Sequence, residues 1–251
     1  MENIVSGKIF PYKQEILNTW PEECFLFSIL DGVVGGSDWI VDSVYQIAMS
    51  KPRDTRVHIS FFPFRKHHHL INAFNFFPFL TKCFIDRTLL YAIQSDFIKV
   101  IMDAINYGCY VSTYLDKGIL LGSNDNYFHI GYIFGYDSVK KNILVSDNFY
   151  SGKNGIWEVD FSTMQKAVLS AIVQAKVKNE GNKMVCFYRI NQDYNHAFQK
   201  EILISNIENY LSSNEDTIYY PGDRNEIISF GLDVYHNLYD EVERRKAGFI
   251  D

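Results

Sequence analysis

Apolar and polar residues alternate most cleanly between residues 128 and 147. An aromatic and β-branched run over 128–136 is followed by a polar stretch over 137–142 and a second apolar run over 143–147. Period-two alternation of this kind predicts two antiparallel strands joined by a turn, because branched and aromatic side chains pack well on a half-buried pleated surface. Further strands are expected over 57–64, closed by Pro63, over 109–115 and over 184–190. Elsewhere the spacing is helical. Leu89, Ile93, Phe97, Val100 and Ile101 recur at intervals that place them on one face of a helix over 88–107. Helices are also expected from Cys24 through CFLFSIL, over 39–50, over 161–175, and as two long C-terminal elements over 194–212 and 225–246. GVVGGSD, after the first helix, reads as a turn, and DKGILLGSNDNY as the loop that leads into the strand starting at residue 128. The sum is an α+β chain with no internal repeat, organised as one domain over 1–190 followed by a helical extension over 191–251.

Composition narrows the class. A chain of 251 residues can bury a sizeable core. Its 20 Phe and 17 Tyr suit an aromatic core or an apolar substrate channel. Phe74, Phe76, Phe77 and Phe79 are open to both readings, core packing being the commoner fate of such residues. A formal net charge of −6 offers no basic stripe, which argues against nucleic acid as a partner. No apolar run is long enough to span a bilayer, and MENIVSGKIF lacks a signal-peptide core, so a cytoplasmic protein is expected. His67, His68 and His69 are adjacent, and adjacent side chains do not converge on one ion, so a solvated turn is expected there rather than a metal site. No cofactor is implied.

The candidate chemistry lies in one cysteine and one His/Asp pair. Cys83 and Cys186 sit inside apolar runs and Cys109 heads a strand, settings in which a thiol usually serves as a small buried hydrophobe. Cys24 opens a helix, where unpaired N–H groups and the helix dipole favour a thiolate and can hold an oxyanion. Asn18 or Gln14 could add a second oxyanion donor. Glu22 and Glu23 oppose a thiolate unless they face solvent. On the predicted hairpin, His129 begins the first strand and Asp147 ends the second, so the carboxylate can reach the ring N–H, fix its tautomer and leave the other nitrogen to take a proton. The plainer alternative is a core histidine beside a turn aspartate. Asn126, in the loop before His129, and Trp20, before Cys24, are the expected substrate contacts.

With these residues in place, a resemblance can be stated. HIGYIFGYDSVKKNILVSDN resembles the His-to-Asp segment of papain-like peptidases that cleave bacteriocin leaders, and the order Cys24, His129, Asp147 is that of a papain-like fold. Those peptidases carry a glutamine six residues before the cysteine, where this chain has Asn18. The layout is still more similar to butirosin biosynthesis protein H and its relatives, papain-like acyltransferases whose wider group includes closthioamide synthetase. FGLDVYHNLYDEV resembles the Gly-containing helix in their C-terminal part. The resemblance implies a papain-like cysteine-peptidase fold with a Cys-bearing helix, an antiparallel sheet and a C-terminal helical extension. It further implies amide-forming acyl transfer in secondary-metabolite biosynthesis. The donor would be an acyl carrier protein bearing a phosphopantetheine thioester and the acceptor a small amine or diamine; the two C-terminal helices could serve as a lid, an acceptor-binding surface or a homodimer contact. A cysteine peptidase and a catalytically inactive binding module are the alternatives.

Overall fold

The computed structural model describes residues 6–13, 21–30, 32–43, 47–50, 58–60, 77–86, 89, 92, 97–123, 127–148, 153–178, 184–214 and 227–248. In chain order the elements are β1 (Gly7–Ile9), α1 (Pro21–Leu30), α2 (Gly36–Ser43), β2 (Ala48–Ser50), β3 (His58–Ser60), β4 (Leu80–Asp86), α3 (Phe97–Asn106), β5 (Tyr110–Asp116), α4 (Lys117–Leu121), β6 (Phe128–Asp137), β7 (Asn142–Asp147), β8 (Gly155–Asp160), α5 (Phe161–Lys178), β9 (Met184–Ile190), α6 (Lys200–Leu211), β10 (Ile227–Phe230) and α7 (Asp233–Lys246). They form two units. One comprises Met1–Val33 and His69–Tyr194, the other Val34–His68 and Asn195–Asp251.

In the first unit an antiparallel sheet runs β4-β9-β5-β6-β7-β8, with β1 added to the far end of β6. The expected hairpin is its centre, and its turn residue Lys141 has φ 58°. One sheet face is apolar. Val111, Leu115, Ile133, Ile143 and Val145 pack there against Phe97, Ile101 and Ile105 of α3 and Met164, Val168 and Ile172 of α5. Residues four apart share a helix face, which is why these two segments are helices and why they lie on the sheet. A bulge between Ile133 and Gly135 adds one residue to β6, so that Tyr136 joins Ile133 on the same side.

The opposite face is aromatic. Phe25 of α1 stacks on Tyr132 at 4.3 Å between ring centroids and meets Tyr110 edge-on at 5.5 Å. Burial pushes the Tyr110 phenol well above its ordinary range, and its O–H donates to the Pro11 carbonyl at 2.9 Å. Phe77 and Phe79 are buried, which assigns them to packing, while Phe74 and Phe76 lie outside the described residues.

In the second unit β10, β2 and β3 form a small antiparallel sheet. Ile47 and Met49 pack there with Val234 of α7. Two expected helices are therefore partly strand. Residues 48–50 belong to β2, where pairing to β3 and β10 overrides local helical spacing, and the segment expected to be helical from residue 225 supplies β10 before α7 begins. Gly231 lies in the turn between β10 and α7, not within a helix; its φ of +53° and the Tyr210 carbonyl in the place of a Cβ explain the glycine. α6 starts at Lys200 rather than at residue 194.

Other differences bear on the site. Lys117–Leu121, expected as loop, is a short helix capped by Asp116 and ended by Gly122 at φ 64°. Strands β1, β4 and β8 come from stretches without a strong alternating signal. Cys83 is exposed, since β4 is the sheet edge and pairs only with β9, whereas Cys186 is buried as expected.

Candidate functional site

The β6–β7 register decides what His129 can reach. Tyr132 pairs with Ser146, so one step further Asp147 lies opposite Gly131, and His129 is its diagonal neighbour on the same face. His129 Nδ1 stands 2.5 Å from Asp147 Oδ1. The carboxylate side chain is 0% exposed and the imidazole 24%, so one partner is sealed in the fold while the other opens to solvent. The Asn148 backbone N–H also donates to Oδ1, at 2.5 Å. Close as they are, the ring N–H is not aimed along the line to the carboxylate: His129 Nδ1 and Asp147 Oδ2 each lack a well-aligned hydrogen bond.

Gly131, opposite Asp147 on β6, has no room for a side chain. A Cβ there would collide with Leu115 Cδ1 and press on Val145 Cγ1 at 3.1 Å. Trp157 reaches from β8 to donate its indole N–H to the Asp147 carbonyl at 3.3 Å, which ties the carboxylate's backbone to the next strand.

The fold brings two further groups that sequence reading passed over. Lys117 is 8% exposed and donates from Nζ to the Asn148 carbonyl at 2.7 Å. Its Nζ also stands 5.2 Å from the centroid of the Tyr127 ring, and that ring stacks with the His129 imidazole at 5.9 Å. Burial lowers the proton affinity of the Lys117 ammonium, and the Asp147 charge partly restores it. A lysine within a polar loop motif carried no signal of this placement. The helix cap that turns it inward could have been suspected from Asp116 preceding Lys-Gly-Ile-Leu-Leu.

Cys24 is in the same unit, in the first part of α1, and is 0% exposed. Its carbonyl accepts from Ser28 Oγ at 2.5 Å. α1 lies against β6 and β7, the two strands that carry the His/Asp pair, but on the face that bears Tyr132 and Ser146. Strand alternation sends His129 and Asp147 to the other face. The Cys24 helix and the His129–Asp147 pair thus lie on opposite faces of the same strands.

The segment before α1 is anchored nearby. Tyr12 Oη is hydrogen-bonded to Ser146 Oγ, Ser146 Oγ donates to Asn154 Oδ1 at 3.0 Å, and Asn154 Nδ2 donates to Tyr12 Oη at 3.3 Å. Gln14, Asn18, Trp20 and Asn126, with His67, His68 and His69, lie outside the described residues. Among the described residues no three His, Cys, Asp or Glu side chains converge as metal ligands, and no helix is long and apolar enough to cross a membrane.

No protein-family model, no curated protein and no solved structure matches this chain.

Proposed function

We propose that this chain is a papain-like cysteine enzyme that forms amides by passing an acyl group through a thioester on Cys24. One observation carries the reading: a fully buried carboxylate, Asp147, lies 2.5 Å from Nδ1 of a partly exposed imidazole, His129. That leaves Nε2 as the proton-accepting nitrogen, the arrangement required of a general base held by an orienting acid. The helix bearing Cys24 packs on the same two strands but on the face opposite the pair, so the reading requires the thiol to reach His129 around the sheet.

In this mechanism His129 Nε2 takes the proton from Cys24 Sγ as the thiolate attacks the carbonyl of a thioester on the phosphopantetheine arm of a carrier protein. The tetrahedral oxyanion is held by a backbone N–H of α1 and a side-chain amide, Asn18 or Gln14. Collapse expels the carrier thiol, which leaves with the proton held by His129. An amine or diamine then attacks the acyl-cysteine, His129 accepts its proton and returns it to the departing Sγ, and the amide is released. Water in place of the amine gives a hydrolase of the leader-peptidase type. Complete burial of Cys24 favours a second reading, a papain-like binding module without chemistry.

Intact mass of wild type and Cys24→Ala after incubation with a simple acyl thioester, with and without a diamine, separates these. Acyl transfer requires an adduct on wild type alone that the diamine discharges as a new amide. Discharge by water at the same rate with or without diamine assigns hydrolysis. No mass gain across several thioesters, together with resistance of Cys24 to alkylation, leaves the binding module.

A further inference from the structure

The His129–Asp147 end of the sheet contains a second charge of opposite sign to the carboxylate. Asp116 closes β5 and caps α4, its carboxylate turned to the Ile119 N–H and the Ser170 hydroxyl. Lys117 is consequently the first residue of α4, and its backbone N–H bonds the Tyr127 carbonyl at 2.8 Å, which pins it beside the start of β6. Its side chain turns inward, to the carbonyl of the residue directly after Asp147 and to the ring that stacks on His129. A lysine held this deep is rare unless an opposite charge offsets the loss of water. Asp147 supplies that charge, and its effect on the Lys117 ammonium opposes that of burial.

We propose that Lys117 is a positioning residue of this site, whose charge acts on the Asp147–His129 pair. The inference rests on the general-base reading of His129 only for its consequence in turnover. Among the described residues, Asp147 of β7 stands directly at His129, the Tyr127 ring stacks on it with Lys117 Nζ over that ring, and the buried Asp116 carboxylate, engaged by Ser170 of α5, ends the neighbouring strand. Its β5 neighbour, Leu115, is uncharged. A cation near an imidazole disfavours the imidazolium. Removing it therefore raises the proton affinity of His129.

NMR titration of the His129 ring in wild type, Lys117→Met and Lys117→Arg tests this directly. The methionine variant should titrate roughly half a pH unit or more above wild type, since charge pairs in such partly buried places interact at that scale. The arginine variant should stay near wild type. A folded Lys117→Met protein with an unshifted His129 midpoint overturns the proposal. The reciprocal measurement does not depend on that variant: in Asp147→Asn the Lys117 ammonium should titrate lower than in wild type, and an unchanged midpoint overturns it equally. Neither readout needs turnover. Both shifts in a protein that forms no acyl-cysteine would sink acyl transfer and leave the role of Lys117 intact, and an active enzyme without the shifts would do the reverse.

Discussion

Two His/Asp pairs in this chain set the same side chains in opposite surroundings. In the second unit His196 Nε2 lies 2.7 Å from Asp42 Oδ2, and the same oxygen accepts the Gln199 N–H at 2.9 Å. Asn206 donates to the Asp42 carbonyl at 2.5 Å, so α2 and the start of α6 are joined by one polar knot, with His196 only 7% exposed. In the first unit His129 keeps an open edge, and Asp147 keeps an oxygen without a hydrogen bond. A buried pair whose polar atoms are engaged locks two helices. A pair with one partner open to solvent and spare bonding capacity can move a proton. Residue type and separation do not separate these cases; exposure and satisfaction of the polar atoms do.

The largest expected contrast is in activity. Asp147→Asn keeps an acceptor for the Asn148 N–H but removes the charge that offsets the burial of Lys117, so about 1–3 kcal/mol of stability should be lost. Acyl-enzyme formation should slow on the order of 10³- to 10⁴-fold, the scale on which orienting carboxylates act in nucleophile–histidine sites. Single-turnover kinetics beside a urea melt would read both numbers. Equal losses in each would place the two pairs in the same structural class.

Asp42→Ala should do the opposite. It strands His196 and the Gln199 N–H, and breaking one side of a buried pair costs about 3–5 kcal/mol. Activity per folded molecule should be retained, as measured by active-site titration alongside the unfolding curve.

A glycine beside each pair sharpens the difference. At Gly35, φ is +75°, and a Cβ would strike the His196 carbonyl oxygen and lie 2.8 Å from its nitrogen. Backbone cannot step aside, so Gly35→Ala should destabilise by about 3 kcal/mol or more. Gly131→Ala meets the ends of Leu115 and Val145, which can rotate, and about 1–3 kcal/mol is expected. Denaturation midpoints would check the order, and a reversed order would mean that the Leu115 side chain is the more rigid obstacle.

The smallest effect belongs to a carboxylate with purely local duties. Asp160 accepts the N–H groups of Ser162 and Thr163 at the start of α5, both at 3.0 Å, and these bonds, Thr163 foremost, hold its carboxyl down at about 2. A depressed folded-state value means that the contribution is present above the ordinary carboxylate range and is lost as pH falls toward about 2. Asp160→Ala should therefore cost about 1 kcal/mol at neutral pH, less as pH falls toward about 2, and nothing well below it. Melting temperatures of both proteins across that range would converge at the acid end; parallel curves would deny the cap its charge.

Some of this was readable in the chain. The β6–β7 hairpin, the helix at Cys24 and the amphipathic α3 and α5 follow from local periodicity, because each buries one face with residues close in sequence. His129 and Asp147 were legible for the same reason, as a short turn sets their register. Residues 48–50 and 227–230 were not. They are strands only because each finds the other across the chain, and a pairing separated by that distance leaves no local period.

An α+β chain with a His and an Asp on neighbouring strands is written into the local pattern, since alternation and a tight turn are local properties. That Asp147 is sealed and His129 open, that Lys117 is drawn in beside them, and that α1 lies on the opposite face of the same strands came from long-range packing alone. Burial, charge proximity and the choice of sheet face depend on what packs against an element, and that is set by residues far away in the chain.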